Sequence, residues 1–321
     1  MNAGESQNPL SLHIARVGVD KAPQAADLLR TAGAGVMDMI AHFWDRLPQT
    51  PPIQRDDLHL VGAWPARTDG QNPDLDFRHA MGAMLYVPKA HRADVFAPAP
   101  TVSEAFTSYL TGWERLIRFE PPPPTEPGTP ANANQKMNMP ITYITGEAGG
   151  IEIMLPQLLA LVNRKAPAKK LVNVMMQLPE SQPAEPSKLV RVAKNGDEQI
   201  LNLWRKMYAQ ERGILFDADV DQWIKSGSVF VFEDDGQVRA AAKFDLVLQN
   251  IVEIGGVFTF PEFRKQGIAR ELVGDLACRI RQMNKKPALQ VDVSNDPAIG
   301  LYQSAGWTES GRLARVWLIP D

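Results

Sequence analysis

Residues 257–270 read Val-Phe-Thr-Phe-Pro-Glu-Phe-Arg-Lys-Gln-Gly-Ile-Ala-Arg, a strand that turns into a helix through Arg264-x-x-Gly267-x-Ala269. Such a turn is suited to holding an anion. The first turn of a helix offers unpaired N–H groups and the positive end of the macrodipole. Gly267 and Ala269 carry little bulk, so a phosphate could approach the backbone closely. Further on, after an apolar run at 289–293, comes Asn295-x-x-Ala298-x-x-Leu301-Tyr302-x-x-x-Gly306-Trp307. There Asn295 reads as the cap of a short helix, Tyr302 stands at its far end, and Gly306 turns the chain onward. A tyrosine is protonated at neutral pH and can donate a hydrogen bond. Glu253 lies between Val252 and Ile254 at the start of the first strand. Apolar neighbours would favour its neutral form and bring it closer to a useful base. Asp245 and Asp292 are lesser candidates.

These side chains need a scaffold, and the hydrophobic pattern supplies one. After the strand at 188–193, a helix over 197–211 places Ile200, Leu203, Met207 and Tyr208 on one face, and Gly213 stops it. A short helix follows at 218–225. Strands at 228–233 and 237–246 form a hairpin across Asp234-Asp235-Gly236. Then come a strand at 251–259, a helix at 268–283, a strand at 289–293, a helix at 295–304, and strands near Trp307 and at 315–319. Proline-rich residues 120–130 favour extended chain, and residues 179–187 have the composition of a linker. Upstream, residues 22–46 read as helical with Gly33 and Gly35 as interruptions, and 58–64 and 77–87 read as strands. Ser103 reads as the cap of a helix to Phe119 that aligns Phe106, Leu110, Trp113 and Ile117. A strand at 141–145 and a helix at 152–164 complete that region. The expected division is 1–178, an α+β domain of unassigned role; 179–187, a linker; and 188–321, the domain with the chemistry.

Taken together, the two segments resemble the GNAT superfamily of acyl-CoA N-acyltransferases over about 135 residues. The resemblance implies a fold of class α+β, whose C-terminal domain is a central mixed, mostly antiparallel sheet flanked by helices. It makes the N-terminal α+β domain a candidate for a degenerate GNAT-like half. A bacterial two-part subgroup and the glycine N-acyltransferase-like enzymes share this plan. By analogy, the pyrophosphate of CoA falls to Arg264, Gln266, Gly267, Ile268, Ala269 and Arg270. The strand backbone at Val257 and Thr259 would pair with pantetheine, and Asn295 joins the cofactor-binding positions. Tyr302 occupies the family's acid position near the sulfur, and Glu253 stands at the spacing where some members place a catalytic base. Lys265 replaces a glycine common in the family.

The resemblance implies an acetyltransferase that uses acetyl-CoA as cosubstrate and no metal. Its acceptor would be a small-molecule or peptide amine. The alternatives are transfer of a longer acyl chain to an amino acid, governed by the width near Phe258 and Phe260, and a non-catalytic CoA-binding module. Composition limits the other classes. A net charge of −3 provides no field for nucleic acid or an acidic membrane. One cysteine, Cys278, permits no internal disulfide and reads as a small buried hydrophobe. The five histidines, His13, His42, His59, His79 and His91, lack the spacing of a metal site. With no signal peptide and no long apolar run, the expected location is the cytoplasm. Residues 145–150, Thr-Gly-Glu-Ala-Gly-Gly, place Glu147 where a second phosphate would sit, so one CoA per chain is expected. The N-terminal half is expected to wall the acceptor cleft.

Overall fold

The computed structural model describes residues 12–32, 37–45, 47–49, 58–66, 74–87, 90–119, 141–179, 186–213, 219–248 and 250–320. The chain divides into two compact units, Met1–Asn173 with Gly311–Asp321, and Val174–Ser310. The expected linker at 179–187 falls inside the second unit, and its residues 180–185 lie outside the described set, as do residues 120–130.

In the first unit, β1 (Leu12–Val17) is followed by α1 (Ala22–Ala32), α2 (Asp38–Asp45), β2 (His59–Pro65), β3 (Gly82–Val87) and β4 (Arg92–Phe96). Then come α3 (Pro100–Phe119), β5 (Tyr143–Glu147) and α4 (Ala148–Leu161). Strands β1 to β4 pair antiparallel in sequence order, and β4 pairs parallel with β5. The outer side of β5 takes Leu313–Trp317 from the C-terminal strand, antiparallel. Met84, Tyr86, Phe106, Leu110, Ile144, Leu158 and Val316 form one core.

Two strands fall at the division. β6 (Lys169–Gln177) gives residues 174–177 to the second unit, and β12 (Thr308–Trp317) gives residues 308–310. Thr308 and Ser310 donate to the carbonyls of Gln177 and Met175, both at 3.3 Å.

The second unit repeats the same order. Its elements are β7 (Val190–Val192), α5 (Glu198–Arg212), α6 (Val220–Ser226), β8 (Val229–Asp234), β9 (Gln237–Val247), β10 (Ile251–Thr259), α7 (Ile268–Gln282), β11 (Lys286–Asp292) and α8 (Asp296–Ser304). Strands β7 to β10 run antiparallel, and β10 pairs parallel with β11. Helices cover both faces of this sheet. Leu272, Leu276, Ile280 and Tyr302 pack with Phe230, Ile254 and Leu289 on one side. Leu201, Trp204 and Val220 pack with Val231, Ala241 and Phe258 on the other. The chain enters this unit tied to α7. Ser187 donates its backbone N–H to the fully buried Asp275 at 3.0 Å and its hydroxyl to Glu271 at 2.6 Å.

The repeats differ where the parallel strands meet. β4 and β5 stay paired from Arg92↔Tyr143 to Val95↔Gly146, almost to their ends. β10 and β11 pair only as far as Ile254↔Leu289, although β10 continues to Thr259 and β11 to Asp292. A bulge marks the parting, because the register of β10 against β9 shifts between Gly255 and Phe258, just beyond the last pair with β11. Gly256 has φ +62°, and its carbonyl accepts from the Trp204 indole N–H at 3.0 Å. In the first unit a Cβ on Gly146 would lie 2.1 Å from the Val95 carbonyl oxygen, so backbone meets backbone where the second unit opens.

Several expectations need correction. Residues 77–79 are a 3-10 turn capped by Asp76, so the strand begins only at Gly82. Ser103 lies inside α3, buried, and donates to the Ala97 carbonyl at 3.3 Å instead of capping the helix. α4 starts at Ala148, because Glu147 caps it, and ends at Leu161. β4 and β6 were not expected at all. β6 buries Val174, Met175 and Met176 consecutively, so it lacks the alternation that reveals a half-exposed strand. The last two expected strands are one, Thr308–Trp317. Cys278 is only half-buried, beside the buried stripe of α7.

The bulge makes a testable demand. Gly256→Ala puts a Cβ 2.8 Å from the Trp204 ring in a left-handed conformation, and should cost about 1–3 kcal/mol in denaturant titration. Gly274→Ala, in α7 with open space around it, should instead gain about 0.5–1 kcal/mol. Equal effects at both positions would show that the bulge carries no special constraint.

Candidate active site

A cavity of about 380 Å³ lies in the second unit where β10 and β11 part. Its wall brings together Val257 and Thr259 on β10, Arg264, Gly267, Ile268 and Ala269 on the turn into α7, and Asn295 and Tyr302 on α8. The family resemblance of the sequence implies a site role for each of these. Gln266, Arg270 and Glu253 are not part of the lining.

The turn into α7 is open as an anion site requires. Gly267 is the N-cap with φ +82°, no side chain caps the helix, and a Cβ there would meet nothing within 4 Å. Ile268 is buried in the core, which fixes the start of the helix. Lys265 holds φ +63°, a conformation that suits the glycine its position resembles. Arg264 is committed within the protein. Its guanidinium donates to the Thr259 carbonyl at 3.0 Å and to Glu211 at 2.6 Å, and lies 5.1 Å from the Phe258 ring centre. Arg270 donates to the Ser304 carbonyl. Among the described residues the Thr259 hydroxyl is buried without a hydrogen-bond partner.

Tyr302 is 7% exposed, and its ring centre lies 6.3 Å from that of Trp307. Burial raises its pKa above the ordinary tyrosine value, with Tyr208 adding to the rise and Arg212 opposing it. The phenol therefore keeps its proton throughout the physiological range. Glu253 accepts from the Gln290 amide at 3.0 Å, across the paired part of β10 and β11. Asp245 forms an ion pair with Lys243, and Asp292 accepts from the backbone N–H of Ser294 at 2.8 Å.

Sequence reasoning did not assign a site role to the end of α5. Tyr208, Glu211 and Arg212 all line the cavity, at the i, i+3 and i+4 positions that share a helix face. Tyr208 packs edge-on against Phe258 with ring centres 6.4 Å apart, and burial raises its pKa too. Asn295 caps α8 by accepting from the Ala298 N–H at 3.4 Å; with its amide turned over, its oxygen accepts from Arg212 at 3.0 Å. The only signal in the sequence was that spacing, just before Gly213.

The first unit fills a helix start of its own, that of α4, the counterpart of α8. Glu147 accepts from the backbone N–H groups of Gly149 and Gly150 at 3.0 and 2.9 Å, which fills the helix start with the chain's own carboxylate. Among the described residues, no group of three or more His, Cys, Asp or Glu is placed to hold a metal, and no helix is long and apolar enough to cross a membrane.

The acetyltransferase (GNAT) family profile matches residues 198–307, the span that builds this cavity. No curated protein matches the chain. Among solved structures, a Drosophila protein is 12% identical with a TM-score of 0.55, over 96% of this chain and 98% of its own. A GCN5-related N-acetyltransferase from Sphaerobacter thermophilus is 16% identical with a TM-score of 0.51, over 96% of both chains. A GNAT-family protein from Novosphingobium aromaticivorans is 19% identical with a TM-score of 0.40, over 47% of this chain and 65% of its own. At these identities the likeness is one of fold. The match to the acetyltransferase (GNAT) family thus lies within the second unit, over the bulged strand, the uncapped helix start and the buried tyrosine.

Proposed function

We propose that the second unit moves an acetyl group from acetyl-CoA to an amine, by direct attack and without a covalent enzyme intermediate. One observation carries the reading: the uncapped start of α7 opens on the same cavity as the unpaired end of β10 and the buried phenol of Tyr302.

The parts divide the work. Backbone N–H groups at Gly267, Ile268 and Ala269 would hold the pyrophosphate, helped by the helix dipole. Val257 and Thr259, beyond the last pair with β11, have backbone available to align pantetheine like an added strand. The Thr259 hydroxyl adds a polar contact. Arg264 keeps the loop in place through the Thr259 carbonyl and Glu211.

The acceptor must first lose a proton from its ammonium to expose the lone pair. Glu253 lies outside the cavity lining and would receive that proton through water. The nitrogen then attacks the thioester carbonyl carbon, the C–N bond forms and the C–S bond breaks. A second proton leaves the nitrogen and ends on sulfur. Acyl-CoA and ammonium thus give amide, CoA thiol and one released proton. Simple thiols titrate near about 8.5, below the raised value at Tyr302. A full proton transfer from the phenol is therefore uphill, and its role is to donate a hydrogen bond to the departing sulfur.

The first unit would bind no second CoA, because its parallel strands stay paired almost to their ends and leave no opening like that between β10 and β11. Calorimetry on the full chain should show one site per chain. Gly267→Glu should abolish CoA binding in a folded protein, since a carboxylate then stands at the phosphate position; unchanged affinity would remove the assignment. Tyr302→Phe should keep CoA affinity within about twofold and lower kcat by roughly 10²-fold. An unchanged kcat with chemistry rate-limiting would make Tyr302 a packing residue.

Burial of the phenol also predicts a pH dependence of stability. Unfolded tyrosine ionises near about pH 10, whereas folded Tyr302 resists, so the folded state binds more protons above that pH and stability falls as pH rises. Tyr302→Phe should flatten that alkaline loss, measured by denaturant titration between about pH 8 and 11. Parallel curves for the two proteins would contradict the burial argument.

A further inference from the structure

The charges at the end of α5 are not equivalent. Glu211 is neutralised by Arg264, at the loop end of the cavity. Arg212 reaches the tyrosine end. Its guanidinium donates to the Tyr208 hydroxyl and, with the Asn295 amide turned over, to that oxygen at 3.0 Å. Its charge is also felt at Tyr302. Both of its hydrogen-bond partners are neutral, and among the described residues no carboxylate pairs with it. The carboxylates of Asp245 and Glu211 also act on Tyr208, but they are paired with Lys243 and Arg264, so the cavity presents a cation outside any ion pair beside the phenol where the thioester would lie.

That is a poor place for a simple ammonium. An acceptor amine arrives positively charged at neutral pH, and like charges in a partly enclosed site repel. The same cation suits an acceptor that brings its own negative charge. A guanidinium offers two parallel N–H groups to a carboxylate, fixing orientation as well as charge. It would also favour loss of the ammonium proton, which attack requires.

Resting on the acyl-transfer reading above, we infer that Arg212 recognises the carboxylate of the acceptor, and that the acceptor class is the free amino acid. Carboxylate and amine must then be close neighbours, because Arg212 and Tyr302 line one cavity of about 380 Å³. Arg212 is a specificity-determining residue that touches substrate; it takes no part in proton transfer. The products are the N-acyl amino acid, CoA thiol and one proton.

The same guanidinium could instead meet a phosphate of CoA, and the test separates the two anions. Free amino acids are compared with their own amides and their decarboxylated amines as acceptors, using acetyl-CoA and following CoA release. CoA affinity is measured in parallel by calorimetry. The wild-type chain should prefer the free acids by at least about 10²-fold in kcat/KM. Arg212→Gln should raise KM for the acids by roughly 10²-fold, leave their amides and amines unchanged or improved, and keep CoA affinity within about twofold. Arg212→Lys, which retains the charge but loses the fork, should fall between. Thermal melting of both variants guards against a general loss of fold. Amides and amines that match the free acids would overturn the inference, as would a loss of CoA affinity in Arg212→Gln or an equal loss with every acceptor. CoA binding without transfer to any acceptor would overturn the acyl-transfer reading itself.

Discussion

The site depends on the bulge in β10. Two paired parallel strands leave no room for a ligand between them, and hydrogen bonding favours keeping them paired. The bulge marks where that preference is broken: the register against β9 shifts between Gly255 and Phe258, and Gly256 takes φ +62°. The Trp204 indole supports the turned peptide through its hydrogen bond to the Gly256 carbonyl. From there the end of β10 runs free of β11, which exposes Val257 and Thr259 and carries the chain to the start of α7. Loop, strand end and tyrosine share a cavity because one strand is made to leave its neighbour.

The first unit shows the same topology without that departure. Its order of strands and helices, its antiparallel run and its single parallel pair repeat those of the second unit. Yet Gly146 lies against the Val95 carbonyl, and Gly150 would place a Cβ 2.5 Å from that of Ala97. Glycines here allow close packing of backbone, whereas in β10 they allow it to bend away. Glu147 caps α4, as Asn295 caps α8, by accepting from the first helix N–H groups. The same topology can thus hold its parallel strands together or let them part.

Electrostatics divides the cavity in a similar way. The loop end combines the uncapped start of α7 with an arginine already bound to Glu211. The tyrosine end holds the buried phenol of Tyr302 and the half-buried one of Tyr208, both kept protonated by their surroundings, and the Arg212 guanidinium among neutral partners. Adjacent residues of one helix, Glu211 and Arg212, contribute opposite charges to the two ends.

Local chemistry made much of this legible in the amino-acid sequence. The hairpin at Asp235-Gly236, the span of β10, the cap at Asn295 and the glycine ends of α5 and α6 all follow from contacts within a few residues. The Arg264–Ala269 turn and Tyr302 were readable for the same reason, since loop shape and residue type are local properties. The exclusion of Glu253 from the cavity wall, the pairing of Arg264 with Glu211 and the arrival of Tyr208 and Arg212 opposite Tyr302 were not. Those depend on which helix face packs across the sheet and on where β10 leaves β11. Nor could the sequence show that Leu313–Trp317 would complete the first unit beside β5. Strand partners are selected by hydrogen bonds between residues far apart in the chain, and those exist only once the tertiary structure has formed.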